Sequence, residues 1–167
     1  MSRDPKYDIL FEPLKIGPVT APNRFYQVPH CCGMGYMRPQ MMASMRGIKA
    51  EGGWGVVCTE YCSIHPSSDD MPFPHASIWD KGDIKNLRLM TDAVHAHGSL
   101  AGIELWHGGQ SSANLYTRRQ AISASSRPND ELVRMPLQTQ AMPKDDITEL
   151  RQWHRAAAQR AIEAGFD

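Results

Sequence analysis

Three apolar runs in this chain lead into residues able to do chemistry. FYQV, residues 25–28, is followed by Pro29-His30-Cys31-Cys32, and WGVVCTE, residues 54–60, leads to Tyr61-Cys62. LAGIELW, residues 100–106, carries Glu104, ends in Trp106 and is followed by His107-Gly108-Gly109. An ionised thiol is a nucleophile or a ligand. A carboxylate inside an apolar run is costly to bury without a partner, so Glu104 calls for a ligand N–H or, equally well, an arginine in a structural ion pair. Tyr61 and Trp106 offer aromatic faces, and His107 an acid–base group. Each has an ordinary reading beside the chemical one. Free cysteines are commonly small buried hydrophobes, Tyr61 and Trp106 are the kind of side chains that fill cores, and His107 before Gly-Gly suits a turn. A Cys/His nucleophilic pair of Cys31 with His30 or His107 has no local protease signature behind it.

The four cysteines are Cys31, Cys32, Cys58 and Cys62. Adjacent cysteines rarely bond to each other, because the ring is strained, and a cytosolic setting disfavours disulfides. A pair followed by C-x3-C lacks the C-x2-C spacing of structural zinc, so no metal is expected. His95 and His97 flank a helix end, where capping or solvation suits them. The chain has 167 residues, a normal single-domain length. Its 41% hydrophobic and 22% charged content is that of a globular protein. Eighteen basic and eighteen acidic residues cancel, which argues against a nucleic-acid partner or an anionic membrane surface. No apolar run reaches the roughly 18 residues of a membrane span. The charged start MSRDPKYDILFEP lacks the apolar stretch of a signal peptide, so a cytoplasmic location is expected.

The elements that must position these residues follow from periodicity and punctuation. Residues 4–23, broken by Pro13, Gly17, Pro18 and Pro22, read as a hairpin or irregular lead-in, and 25–28 as a strand. Residues 40–51 read as a helix with Met41, Met42, Met45 and Ile48 on one face, stopped by Gly52-Gly53. The run 54–60 suits a strand buried on both faces, and a polar loop follows to about residue 80. Residues 83–97 form a helix with Ile84, Leu87, Met90 or Thr91, and Val94 inward and Gly98 as its cap. A third strand, 100–106, precedes a long loop to about 144. A last helix has Asp145 or Asp146 as cap, a capping box from Asp146 to Glu149, and Gly165 as its end. This βαβαβα order predicts an α/β class with parallel strands, compatible with a doubly wound sheet or a (β/α)8 barrel. No G-x-G-x-x-G follows a strand, which weakens a dinucleotide-binding reading. In either fold ligands gather at the C-terminal strand ends, where Cys31, Tyr61, Glu104, Trp106 and His107 would converge.

At these residues the chain resembles a known family. DILFEPLKIGPVTAPNRFYQVPHC, AEGGWGVVCTEYCSIHP, AHGSLAGIELWHGG and the closing AAAQRAIEAGFD resemble the N-terminal part of the old yellow enzyme (NADH:flavin oxidoreductase) family. The resemblance is closest to its trimethylamine and dimethylamine dehydrogenase branch and covers nearly the whole chain. It implies a (β/α)8 TIM barrel with FMN at the C-terminal face. Residues 1–167 would supply about three strands and three helices as a partial FMN-binding domain ending before the fourth strand. It also implies FMN-dependent oxidation of a small methylated amine, with the imine product hydrolysing to an aldehyde and a smaller amine.

The resemblance also assigns residues. Cys31 in Val28-Pro29-His30-Cys31 matches a cysteine that forms a thioether to the flavin, making it the candidate for covalent FMN, with Cys32 a neighbour lacking that role. Glu104 stands where the wider family has glutamine and the amine branch glutamate, and would accept the flavin N3–H. Pro29, His30, Cys31 and Tyr61 would line the isoalloxazine. Tyr61 and Trp106 match aromatic positions of the substrate pocket, where ring faces attract alkylammonium groups by about 0.5–2 kcal/mol each. The family's later tyrosine, histidine and arginine, its phosphate-binding loops and its 4Fe-4S cysteines follow AGFD, so an iron–sulfur cluster would need downstream sequence. Residues 110–140 differ from the trimethylamine enzyme and leave the amine open; the electron acceptor and a homo-oligomeric state of the full-length protein are open as well. The expectation is a fragment that binds FMN weakly or not at all and is incomplete and inactive alone. An NAD(P)H-dependent ene-reductase of the same fold is the alternative, which Cys31 disfavours, and a non-catalytic remnant needing a partner chain is another.

Overall fold

The structure is a computed structural model, described for residues 4–69, 74–128 and 138–167. A 3-10 helix, Pro5–Phe11, leads into an antiparallel hairpin of β1 (Leu14–Ile16) and β2 (Val19–Ala21), turned at Gly17 with φ 55°. The main sheet is parallel. Strand β4 (Val56–Ser63) lies at its centre, paired along one edge with β6 (Leu100–Trp106). Its other edge pairs with β3 (Tyr26–Gln27) at Val56–Val57 and with β5 (Ala76–Ser77) at Cys62–Ser63. Helices α1 (Pro39–Glu51), α2 (Ile84–His95) and α3 (Lys144–Ala164) connect and follow these strands. Strands β3, β4 and β6, each followed by a helix, are three successive β/α units of a TIM barrel, and among the described residues the sheet does not close.

The two faces of this sheet differ. Val57, Cys62, Ile64 and Ala101 join Met42, Leu87, Met90, Val94 and the α3 alanines 157, 161 and 164 in the main core, with Ile103 and Leu105 packed against it. The opposite face is served only by a small cluster of Ala21, Val56, Cys58 and Leu100. It leaves Tyr26 and Val28 exposed and Gly102, Glu104 and Trp106 half-buried. Side chains alternate along a strand, but β4 interrupts the alternation. Cys58 pairs with Gly102 and Tyr61 with Glu104, so two residues of β4 lie between pairs that are separated by one residue in β6. This β-bulge brings Tyr61 onto the face of Cys58 and returns Cys62 to the helices.

Several local expectations differ from the structure. The strand expected over 54–60 runs to Ser63, so Tyr61 and Cys62 lie within it. On α1 the buried face is Pro39, Met42, Ala43, Arg46, Gly47 and Ala50, while Met41 and Ile48 are 51% and 68% exposed. The small residues decide this. A Cβ on Gly47 would lie 3.4 Å from that of Ala93 on α2, so the helices meet across their narrowest side, with Met42 buried there as expected and Met41 and Ile48 turned outward. The polar segment after β4 contains β5, and the long loop contains the parallel pair β7 (Ile122–Ser123) and β8 (Gln140–Ala141); parts of both, 70–73 and 129–137, lie outside the described residues. Helix α3 starts at Lys144 behind Pro143 with no side-chain cap, so the Asp146–Glu149 capping box does not form. Its end is as expected: Gly165, at φ 95°, terminates the helix. His95, the last residue of α2, pairs with the Asp167 carboxylate at 2.7 Å, which also accepts the Ala101 N–H at 2.7 Å.

Candidate functional site

The helix-free face of the sheet gathers three of the expected side chains. Tyr61 and Glu104 are in register on β4 and β6, and the rings of Tyr61 and Trp106 lie 5.0 Å apart with an interplanar angle of 35°. The Glu104 carboxylate forms no hydrogen bond or ion pair with the described residues; the backbone N–H of Glu104 donates to Thr59 Oγ1 at 3.3 Å. Trp106 Nε1 is buried and without a hydrogen-bond partner among the described residues. The Glu104 carboxylate is thus an uncommitted acceptor on this face, whereas Trp106 Nε1 is enclosed beside Gly108. Below them, Tyr26 OH and Cys58 Sγ are 3.0 Å apart, and a Cβ at Gly102 would collide with Cys58 Sγ. That hydrogen bond, with burial second, pushes the Tyr26 hydroxyl up to about 12.

Pro29, His30 and Cys31 lie at the mouth of the same sheet. Beyond β3 the chain keeps tracking β4: the His30 N–H donates to the Thr59 carbonyl, at the bulge, at 3.2 Å. Cys31 is exposed, whereas Cys32 is half-buried and packs on the main core. Burial pushes the Cys32, Cys58 and Cys62 thiols up, so these three are poor nucleophiles. Clefts bordered by described residues include one of about 440 Å³ beside Phe11, Phe25 and Trp54, one of about 410 Å³ beside Met34, Met41, Met45 and Ile48, and one of about 390 Å³ beside His65, Ser67 and Trp153. The candidate site is an open face, not a cavity. No three His, Cys, Asp or Glu side chains among the described residues gather as a metal site, and no helix among them is long and apolar enough to cross a membrane.

His107 does not join the group. Its Nε2 lies 3.0 Å from Ser67 Oγ, whose other neighbour is His65 Nδ1 at 2.8 Å, and both imidazoles stack on Trp153 of α3, with His65 3.6 Å from it. His107 therefore fastens α3 to the sheet and is no partner for Cys31. Two residues that sequence reasoning passed over belong to the site. His75 Nδ1 meets Tyr61 OH at 2.5 Å, with the rings 4.8 Å apart, because β5 brings residue 75 to the end of β4. Glu60, fully buried, accepts three backbone N–H groups of the loop after Cys31. The reasoning that marked Glu104, a carboxylate inside an apolar run, applies equally to Glu60.

The chain is similar in sequence and fold to known proteins. Dimethylamine dehydrogenase of Hyphomicrobium sp. (strain x) is 50% identical over the whole chain, which spans 23% of that enzyme's length. The solved structure of histamine dehydrogenase from Rhizobium sp. 4-9 superposes with a TM-score of 0.94 at 50% identity, over 99% of this chain and 25% of its own. That of 6-hydroxypseudooxynicotine amine oxidase from Pseudomonas geniculata N1 gives 0.94 at 44% identity, with the same coverage. The chain thus spans about a quarter of these relatives. The family model for NADH:flavin oxidoreductase / NADH oxidase matches residues 9–167. With its parallel β/α units and this match over nearly its whole length, the chain belongs to the NADH:flavin oxidoreductase / NADH oxidase family.

Proposed function

We propose that the helix-free face of β4 and β6 forms one wall of an FMN-dependent site that oxidises the C–N bond of a small amine. The observation that carries this reading is the uncommitted Glu104 carboxylate in register with Tyr61 and beside Trp106. A carboxylate acceptor suits the imide N–H of a flavin ring, and the residues present fit such a group. Glu104 would hold the pyrimidine edge, Pro29, His30 and Cys31 would border the ring at the mouth, and Cys31 would be the point of covalent attachment. When bound, FMN supplies the acceptor for the electron pair leaving the amine carbon. The chain's own part is to bind and orient. Tyr61 and Trp106 hold an alkylammonium against their faces by cation–π attraction, on the order of 0.5–2 kcal/mol per ring. His75, bonded to Tyr61 OH, fixes the orientation of that ring. The relatives named for dimethylamine and histamine support an amine as substrate.

The test uses the protein at its full encoded length, produced with excess FMN. Acid precipitation should leave flavin colour in the pellet, Cys31→Ser should release it and Cys32→Ser should not. A panel of dimethylamine, trimethylamine, histamine and N-methylated amino acids should bleach the flavin anaerobically with at least one member. Colour retained in Cys31→Ser refutes the attachment, and a flavin that no amine in the panel bleaches refutes the reaction.

A further inference from the structure

Cys31 and Cys32 are chemically identical neighbours, yet one is exposed and the other half-buried against the main core. The peptide groups on either side of Cys31 are gripped by buried ions of opposite charge. Ahead of it, the His30 carbonyl accepts from the Arg46 guanidinium, which also donates to Gln27 Oε1 at 3.0 Å. Behind it, Glu60 Oε2 accepts the N–H groups of Cys32 and Gly33, and Oε1 that of Gly35, each at 2.7 Å. Arg46 and Glu60 are both 0% exposed. Three short charge-assisted bonds to one carboxylate make a strong and directional anchor. The loop is wound tightly onto it. Gly33 has φ 67°, and a Cβ on Gly35 would stand 2.7 Å from both Glu60 Oε1 and the Ala76 Cβ. Fixing the carbonyl of residue 30 and the N–H of residue 32 fixes the direction of the Cys31 Cα–Cβ bond, and fixing the N–H of residue 33 as well fixes that of Cys32.

We propose that Glu60, opposed by Arg46, is the positioning residue that selects Cys31 over Cys32 as the thiol presented at the ligand face. Its meaning for catalysis rests on the amine-oxidation reading above; its structural content does not. Burial first, then the Glu60 charge and hydrogen bond, push the Cys32 thiol up, which disfavours its thiolate. Glutamine at position 60 would keep the shape but only one acceptor oxygen, and its amide N–H₂ would face a backbone N–H that the carboxylate now satisfies.

The test uses the chain without flavin. Short pulses of iodoacetamide under native conditions, read by peptide mass spectrometry, give the labelling rate of each cysteine. The parent should label Cys31 at least about tenfold faster than Cys32. In Glu60→Gln and Glu60→Ala the ratio should fall to within about twofold to threefold, while Cys58 and Cys62 stay unlabelled and so report an intact β4. Hydrogen exchange of the parent provides the second measurement: the amides of Cys32, Gly33 and Gly35 should exchange at least about a hundredfold slower than unprotected amides. An unchanged labelling ratio with Cys58 and Cys62 protected overturns the proposal. If the variants unfold and expose Cys58 and Cys62, the parent's exchange decides: unprotected amides overturn it and protected ones support it. Neither readout involves flavin, so failure here leaves the amine reading standing, and a flavin that no amine in the panel bleaches leaves this assignment standing.

Discussion

The two imidazoles under α3 should make the fold sensitive to mild acid. Ser67 N–H donates to His65 Nδ1 at 3.2 Å, and Gly109 N–H donates to His107 Nδ1 at 3.2 Å. Each Nδ1 is therefore an acceptor, and the connecting hydrogen bonds run from His107 Nε2–H to Ser67 Oγ and from Ser67 Oγ–H to His65 Nδ1. A proton on either Nδ1 would face a backbone N–H. Burial is the main cause that pulls both groups from the usual 6.5 to about 4, with Arg119 and then His107 pushing His65 further down and His154 doing the same to His107. Asp146 and Glu149 of α3 border a cleft lined also by His65 and Ser67. The folded pKa lies below the unfolded one, so the unfolded chain takes up protons first as pH falls. The stability these groups contribute is complete above about pH 6.5 and is lost progressively towards pH 4. From pH 7 to 5, linkage gives about 2 kcal/mol for the better buried His107, and about half that for half-exposed His65 after discounting for solvent screening. The total, about 3 kcal/mol, should lower a urea midpoint by about 1.5 M at a slope of about 2 kcal/mol/M. Urea titrations at pH 7 and 5 on the parent and on the double variant His65→Phe, His107→Phe measure the difference. An equal fall in both proteins refutes the assignment, because phenylalanine keeps the stack on Trp153 but cannot take up a proton.

Two further outcomes follow from close contacts. Gly102→Ala places a methyl group against Cys58 Sγ, beside Tyr26 OH; overpacking of this kind should cost about 1–3 kcal/mol in urea unfolding, and an unchanged midpoint would show that the strands separate freely. Asn114, 2% exposed at φ 49°, accepts from the Asp69 N–H at 2.9 Å and donates to the Ser67 carbonyl at 3.0 Å, clasping the loops after β4 and β6 together. Asn114→Ala should cost about 2–4 kcal/mol through two unpaired backbone groups and a left-handed backbone. Asn114→Gly should recover about 1 kcal/mol of that, and equal midpoints for the two variants would remove the backbone contribution.

The order of elements was legible because each depends on local signals: apolar runs for β4 and β6, Gly52-Gly53 after α1, Gly165 after α3. The strand ends likewise placed Tyr61, Glu104 and Trp106 together, since period-two alternation carries Glu104 and Trp106 to one face. What stayed hidden was set by partners distant in sequence. The buried side of α1 depends on Ala93 fitting against Gly47, which no periodicity of methionines reveals. His107 turned away because Ser67 and Trp153, 40 residues before it on the chain and on a later helix, offered it a site. His75 was out of reach because two residues of β5, in a segment rich in proline and polar side chains, pair with β4. Glu60 was legible in kind but not in role, since its partners are backbone N–H groups that every residue but proline carries.

The extra residue between Cys58 and Tyr61 acts as a frameshift within a strand. Upstream of it, even-numbered positions of β4 face away from the helices; downstream, odd-numbered ones do. Paired without the bulge, the same residues in unbroken alternation would send the Tyr61 ring into the helix-side core and turn the Cys62 thiol outward, whereas deleting one residue there would put Tyr61 two positions after Cys58 and keep it on the same face. The bulge in this step, more than the identity of its members, determines whether the mouth of the sheet is lined by an aromatic ring or by sulfur.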